Sequence, residues 1–262
     1  MYRLPVINET DVRALPGIGR REAIELAAAE NAAFIAELKA LPPVAWDGIT
    51  DCDPWTVKDV AAHVLGWAEA AMSWREFRHQ MAAALRGWRS NPVHAQNALQ
   101  VEERKHLTPD EVVERLEVAL PALLCLRRRL SLPGRLIPLY NPLFGLTTLS
   151  FAMDVIFTRD VFAHRIDVAT SAGTELSVGP NDRRIFADCL RHWARNTQAN
   201  LRFELDGPLD GNYLIGKGSV ASVRGRGTDL VRVLAGRLAP EELTIEGDRE
   251  RALAWLAVPC PF

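Results

Sequence analysis

Apolar residues recur at helical spacing through the first two thirds of the chain. In residues 20–41 they fall at Ala23, Leu26, Ala27, Phe34, Leu38 and Leu41, near a 3.6-residue period, and Pro42-Pro43 ends the run. Thr56-Val57-Lys58-Asp59 opens the next run as a capping box: the Thr side chain accepts from a free amide and the Asp suits the positive helix end. This predicts a helix from Val57 to about Trp88, with Val60, Val64, Trp67, Ala71 and Trp74 on or near one face. Thr108-Pro109-Asp110-Glu111 starts a third, with Thr as cap and Pro in the first turn, running to about Leu130 with Pro121 as a kink point. A fourth covers about Thr148 to Ser171 and stops at Gly173, and residues 91–107 add a shorter one. Four long helices in one region predict a bundle.

After Gly173 the texture changes. Residues 181–196 read as a helix. Residues 201–205, 213–215, 219–223 and 243–246 read as short strands separated by Gly, Pro and Asp. Residues 228–235 and 249–256 read as short helices, which makes a small α+β domain. The cluster of Gly173, Gly179 and Pro180 sets the boundary, giving domains 1–175 and 176–262.

Composition narrows the function classes. The 262 residues are 48% hydrophobic and 24% charged with a net charge of -2, which argues against holding nucleic acid or an anionic membrane by bulk charge. Cys52, Cys125, Cys189 and Cys260 have neither a CxxC spacing nor a disulfide pattern, and read as reduced, mostly buried thiols of a cytoplasmic protein. Residues 1–10 lack the apolar core of a secretory signal. Residues 136–157 are apolar and long enough to span a bilayer. Pro138, Pro142, Gly145 and Asp154 interrupt them, so they read as a loop followed by a buried helix.

Among six histidines, two stand out. Asp160 and His164 are four apart on the fourth helix, so they share a face. His63 sits in the apolar run Val60-Ala61-Ala62-His63-Val64-Leu65 and is expected to point into the bundle. If the second and fourth helices are neighbours, two imidazoles and one carboxylate converge and leave coordination positions open, a donor set that suits zinc or ferrous iron. The plainer reading is a hydrogen-bonded core histidine beside a surface Asp–His pair.

A resemblance adds weight to the metal reading. Pro16-Gly17-Ile18-Gly19, Glu22-Ala23, Leu26-Ala27, Glu30, Phe34, Leu38 and Leu41, then Asp51-Cys52 and the run Trp55 to Gly66, resemble the N-terminal half of the mycothiol-dependent maleylpyruvate isomerase family, a branch of the DinB-like bundles. The run Arg159 to Ala169, closed by Gly173, is similar to its second motif. Val231 to Leu234 with Gly236-Arg237, and Leu243-Thr244-Ile245 with Gly247-Asp248, are similar to its small sterol-carrier-like domain. The resemblance implies a mainly α protein, a DinB-like four-helix bundle followed by a small α+β domain. It implies a divalent metal, zinc, held by His63, Asp160 and His164. It also implies mycothiol as thiol cosubstrate. The best-characterised members of the family carry Glu where Asp160 stands, one methylene longer. Asp167 is placed either to accept the outer ring N–H of a histidine ligand or to face solvent as a helix acid.

Three other features compete. Leu15-Pro16-Gly17-Ile18-Gly19 is also similar to the turn of a helix-hairpin-helix DNA-binding element, though Glu22, Glu25 and Glu30 follow it. Arg127-Arg128-Arg129 with Arg135 reads as a solvated helix end. Arg237 is a candidate to face the cleft between the domains and hold a substrate carboxylate. Trp55, Trp67, Trp74 and Trp193 are expected to pack the bundle and the domain junction. The resulting expectation is a metal-dependent enzyme that uses mycothiol for isomerisation or S-transfer on a small electrophile, with no nucleic-acid or membrane partner. The rival is a non-catalytic protein that binds a metal or an apolar ligand.

Overall fold

The computed structural model describes residues 9–141, 145–260 and 262. Residues 1–8, read above for a signal segment, and Pro142 lie outside them. The chain divides into two compact units: Gly19–Thr174, and the segment up to Ile18 joined to residues from Glu175 onward.

In the first unit, α1 (Arg20–Ala40), α2 (Val57–Ala70), α3 (Trp74–Arg86), α4 (Pro92–Glu102) and α5 (Pro109–Arg129) follow in order, then the single turn α6 (Leu132–Arg135). A hairpin of β2 (Pro138–Asn141) and β3 (Gly145–Thr148) comes next. The last helix is α7 (Leu149–Phe151), a π turn (Ala152–Ile156) and α8 (Phe157–Ala172), capped by Gly173 at φ 65. Both predicted threonine caps form: the Thr56 hydroxyl accepts from the Asp59 amide, and the Thr108 hydroxyl from that of Glu111. α2 packs on α3, α4, α5 and α8, and α1 on α5 and α8. Phe34, Leu38, Val57, Val60, Val64, Leu65, Leu116, Leu120, Val161 and Val168 build one core.

Three expectations are corrected here. The helix from Val57 to about Trp88 is two helices, because Ser73 caps a fresh start by accepting from the Glu76 amide. Residues 136–157 are not a loop and a helix alone; they contain the β2–β3 hairpin before the chain turns helical at Leu149. Trp74 does not pack the core: it is 71% exposed and stacks on Phe77. Among the described residues, no helix is long and apolar enough to cross a membrane.

The second unit packs α9 (Pro180–Thr197), α10 (Gly227–Leu234) and α11 (Arg249–Leu256) with a five-stranded sheet. Its order is β1-β5-β4-β6-β7: β1 (Glu9–Asp11), β4 (Leu201–Asp206), β5 (Gly211–Ile215), β6 (Ala221–Arg226) and β7 (Thr244–Gly247). Leu201, Phe203 and Leu205 alternate inward on β4, as the sequence pattern requires, and Phe203 lies between Tyr213 and Val223. β1 is a strand the pattern did not announce, pairing parallel with β5. Arg13 ties this segment to the Ala194 and Ala199 carbonyls at 3.2 and 2.8 Å. The Leu15–Pro16 turn gives its carbonyls to Arg191 and Arg184 of α9.

Candidate metal centre

Neighbouring helices bring the three candidates together. His63, on α2, is 2% exposed. Asp160 and His164, one turn apart on α8, face it. His63 Nε2 lies 3.5 Å from Asp160 Oδ2, and His164 Nε2 lies 3.5 Å from Asp160 Oδ1. The two imidazoles meet edge to face at 5.3 Å between centroids, and Trp55 covers His63 at 5.2 Å. Asp160 is the one partly exposed member, 23% against 2% and 4% for the histidine side chains, so the cluster is reached from its side.

The outer nitrogen of each ring is held. His164 Nδ1 is 2.9 Å from Asp167 Oδ2, a carboxylate with no solvent exposure. Asp167 therefore takes the histidine-orienting place rather than the solvent-facing one. Cys52 Sγ also donates to that oxygen at 3.4 Å. His63 Nδ1 is 2.7 Å from Gln100 Oε1. A buried relay fixes which end of that amide points inward. Gln80 Nε2 donates to the Gly66 carbonyl and to Glu76, so Gln80 Oε1 is an acceptor, and Gln100 Nε2 donates to it at 2.7 Å. Gln100 Oε1 is thus left to accept, and His63 Nδ1 carries the proton. Gly66 makes the room: a Cβ there would come within 2.6 Å of Gln100 Cγ.

With both Nδ1 atoms donating outward, the neutral rings aim two Nε2 lone pairs at one carboxylate. That arrangement calls for a positive charge. Without a metal a proton supplies it. Burial disfavours charge on His164, but the Asp160 carboxylate outweighs this and raises its pKa well above 6.5. Burial likewise opposes charge on Asp160, and the facing histidines overcome it and hold the carboxyl far below its usual range. The donor set also fits a divalent ion. Metal bonds of about 2.1 Å in tetrahedral arrangement separate donors by about 3.4 Å, close to the spacing here. The shorter arm of Asp160 reaches both histidines from this helix pair. Among the described residues, the groups of three or more metal-ligand-type side chains that converge are this triad and Cys52–His164–Asp167, which share His164.

Gln100, Gln80 and Cys52 were not singled out from sequence. Gln96 and Gln100 at i and i+4 on an otherwise apolar face of α4 were the available signal. Arg237 belongs to the second unit. It follows α10, half-buried, with its amide donating to the Arg232 carbonyl at 2.8 Å. Arg127 corrects the solvated-cluster reading: it is 2% exposed, because α5 turns it inward against Thr158 and Phe157.

Comparison with known proteins adds the following. Residues 27–169 match the family model of the mycothiol maleylpyruvate isomerase N-terminal domain, and residues 153–254 match that of the corresponding C-terminal domain. The fold is similar to a crystal structure of the mycothiol-dependent maleylpyruvate isomerase, with TM-score 0.56 and 20% identity over 90% of this chain and 95% of that one. A histidine-to-alanine mutant of that isomerase matches to the same extent. No curated protein matches in a sequence search.

Proposed function

The chain belongs to the mycothiol maleylpyruvate isomerase family, a family of enzymes, and from that premise we propose that it is a metal-dependent enzyme using mycothiol on a small electrophile. The observation that carries the reading is the convergence of the His63 and His164 Nε2 atoms on the two oxygens of Asp160, with Gln100 and Asp167 at the outer ring nitrogens. His63, Asp160 and His164 would hold a divalent metal; the N,N,O donor set suits zinc or ferrous iron, and the resemblance to the family points to zinc. Such an ion supplies a positive centre that favours the thiolate of a bound thiol at neutral pH.

The protein's own residues set up the rest. Gln100 and Asp167 keep the histidine lone pairs directed inward. Trp55 shields His63 from water, and Trp67 against Phe157 at 4.7 Å adds an apolar surface on the same helices. A thiolate adds to the electrophilic double bond, the resulting single bond rotates, and expulsion of the thiolate restores the double bond with its geometry changed. Retention of the adduct would give S-transfer instead. Arg237 is assigned here as a carboxylate-binding guanidinium.

The test is direct. Purified protein should hold about one divalent ion per chain, and His63→Ala and His164→Ala should each lose it. The cobalt-substituted protein should gain a near-ultraviolet thiolate band when mycothiol is added, with Cys52→Ser as control for the nearest protein thiol. It should convert maleylpyruvate to the trans isomer only with the thiol present. Full metal retention in both histidine mutants, or no thiol-dependent band, would reject the proposal.

A further inference from the structure

A second buried cluster lies outside the triad, on α5, α6 and the π turn that leads into α8. Arg127 sits inside the first unit with its Nη1 donating to Thr158 Oγ1 at 3.2 Å and its guanidinium 5.7 Å from the Phe157 ring centroid. Burial lowers its pKa to about 10 while the Asp154 carboxylate pulls upward, so it stays charged at neutral pH. Arg135 on α6 pairs with Asp154, which lies in the π turn before α8. Among the described residues, three buried polar atoms of this cluster have no partner: Arg127 Nε, Arg135 Nη1 and Asp154 Oδ1.

Two guanidinium groups face one carboxylate, so the cluster carries one uncompensated positive charge. A buried cation in that state is destabilising until an anion joins it. The unmet groups are two donors and one acceptor. A carboxylate satisfies the two donors, since guanidinium N–H groups match its oxygens. A hydroxyl next to it satisfies Asp154 Oδ1. A phosphate dianion would overcharge the cluster and face Asp154. The π turn is a second pointer, because such turns occur frequently at functional sites. Phe157 links the cluster to the triad: it touches Trp67, one turn beyond His63 on α2, and precedes Asp160 by three residues on α8. Arg135, whose side chain is 11% exposed, marks the side open to solvent.

We infer that Arg127, Arg135 and Asp154 form a subsite for the carboxylate end of a small 2-hydroxy or enolised 2-oxo acid. That this acid is the electrophile's own end rests on reading the triad as the reaction centre; the carboxylate subsite itself does not.

Calorimetric titration with malate, succinate and inorganic phosphate tests it, on the protein as purified and after metal removal by chelator. Malate should bind both forms. Arg127→Met and Arg135→Gln should each weaken malate at least tenfold, and succinate should bind several-fold more weakly than malate. Arg135→Gln lies at a partly exposed position and keeps the test open if Arg127→Met does not fold. Malate binding unchanged in the folded variants, or phosphate binding more tightly than malate, would overturn the subsite. Equal binding of malate and succinate would remove Asp154 from it. Malate binding only to the metal-loaded form, regardless of the arginines, would place the carboxylate on the metal and also overturn it. Because the metal-stripped protein is measured separately, failure of the metal reading leaves this result distinguishable.

Discussion

Replacing Gln100 by Leu removes the inner end of the glutamine relay while nearly keeping side-chain volume. Gln100 has no solvent exposure, so water does not replace the lost groups. His63 Nδ1–H loses its acceptor at 2.7 Å, and Gln80 Oε1 loses its shorter donor, keeping Gln96 at 3.3 Å. A buried donor left unmet costs about 1–3 kcal/mol. The imidazole escapes most of that cost by moving its proton to Nε2, toward Asp160 Oδ2 at 3.5 Å. That shift removes the lone pair a metal needs. Metal affinity should therefore fall about 10–100-fold, the range for loss of a ligand-orienting partner. Gln100→Glu separates this from general damage. It keeps an acceptor for His63, so metal affinity should hold, while its carboxylate faces Gln80 Oε1 and lowers thermal stability. Competition against a chromophoric chelator, with melting curves on the same samples, reads both quantities. Unchanged metal affinity in folded Gln100→Leu would refute the tautomer argument.

Asp160→Glu should bind metal at least as tightly as the parent, since it preserves the charge, whereas Asp160→Asn should bind at least about tenfold more weakly; equal affinities for Asn and Asp would exclude it as a ligand. In the metal-stripped protein the raised pKa of His164 contributes stability that is complete below its ordinary value of 6.5 and is lost as pH climbs through the folded value, while the depressed Asp160 contributes above 3.8 and fades as pH falls. Melting temperature against pH should therefore decline on the alkaline side in the stripped protein and less so when metal is bound; a flat stripped profile between about pH 6.5 and 9 would contradict this. Gly66→Ala places a methyl 2.6 Å from Gln100 Cγ and should cost about 1–3 kcal/mol of stability together with weaker metal binding; a neutral effect on both would show that Gln100 has room to move.

The sequence by itself determined the features that depend on neighbours along the chain. Thr56 and Thr108 start their helices where they stand because a cap needs only the residue three positions on. Gly173 ends α8 because it alone there adopts φ 65 without strain. Four-residue spacing put Asp160 and His164 on one face, the apolar run around His63 turned that ring into the bundle, and the resemblance to the isomerase family added weight to their convergence. Tertiary structure decided the rest. Ser73 divides α2 from α3, and β1 and the β2–β3 hairpin form through backbone pairing that no local periodicity announces. Arg127 in an Arg-Arg-Arg run reads as a solvated end, yet α5 rotates it alone into the interior while its neighbours are not buried. Gln80, Gln96 and Gln100 come from α3 and α4, and only their packing beside Gly66 joins them into the relay that sets the His63 tautomer. Spacing along a helix fixes which side chains share a face; which buried polar groups answer one another is fixed only when the faces meet, because hydrogen-bond partners lie across the sequence rather than along it.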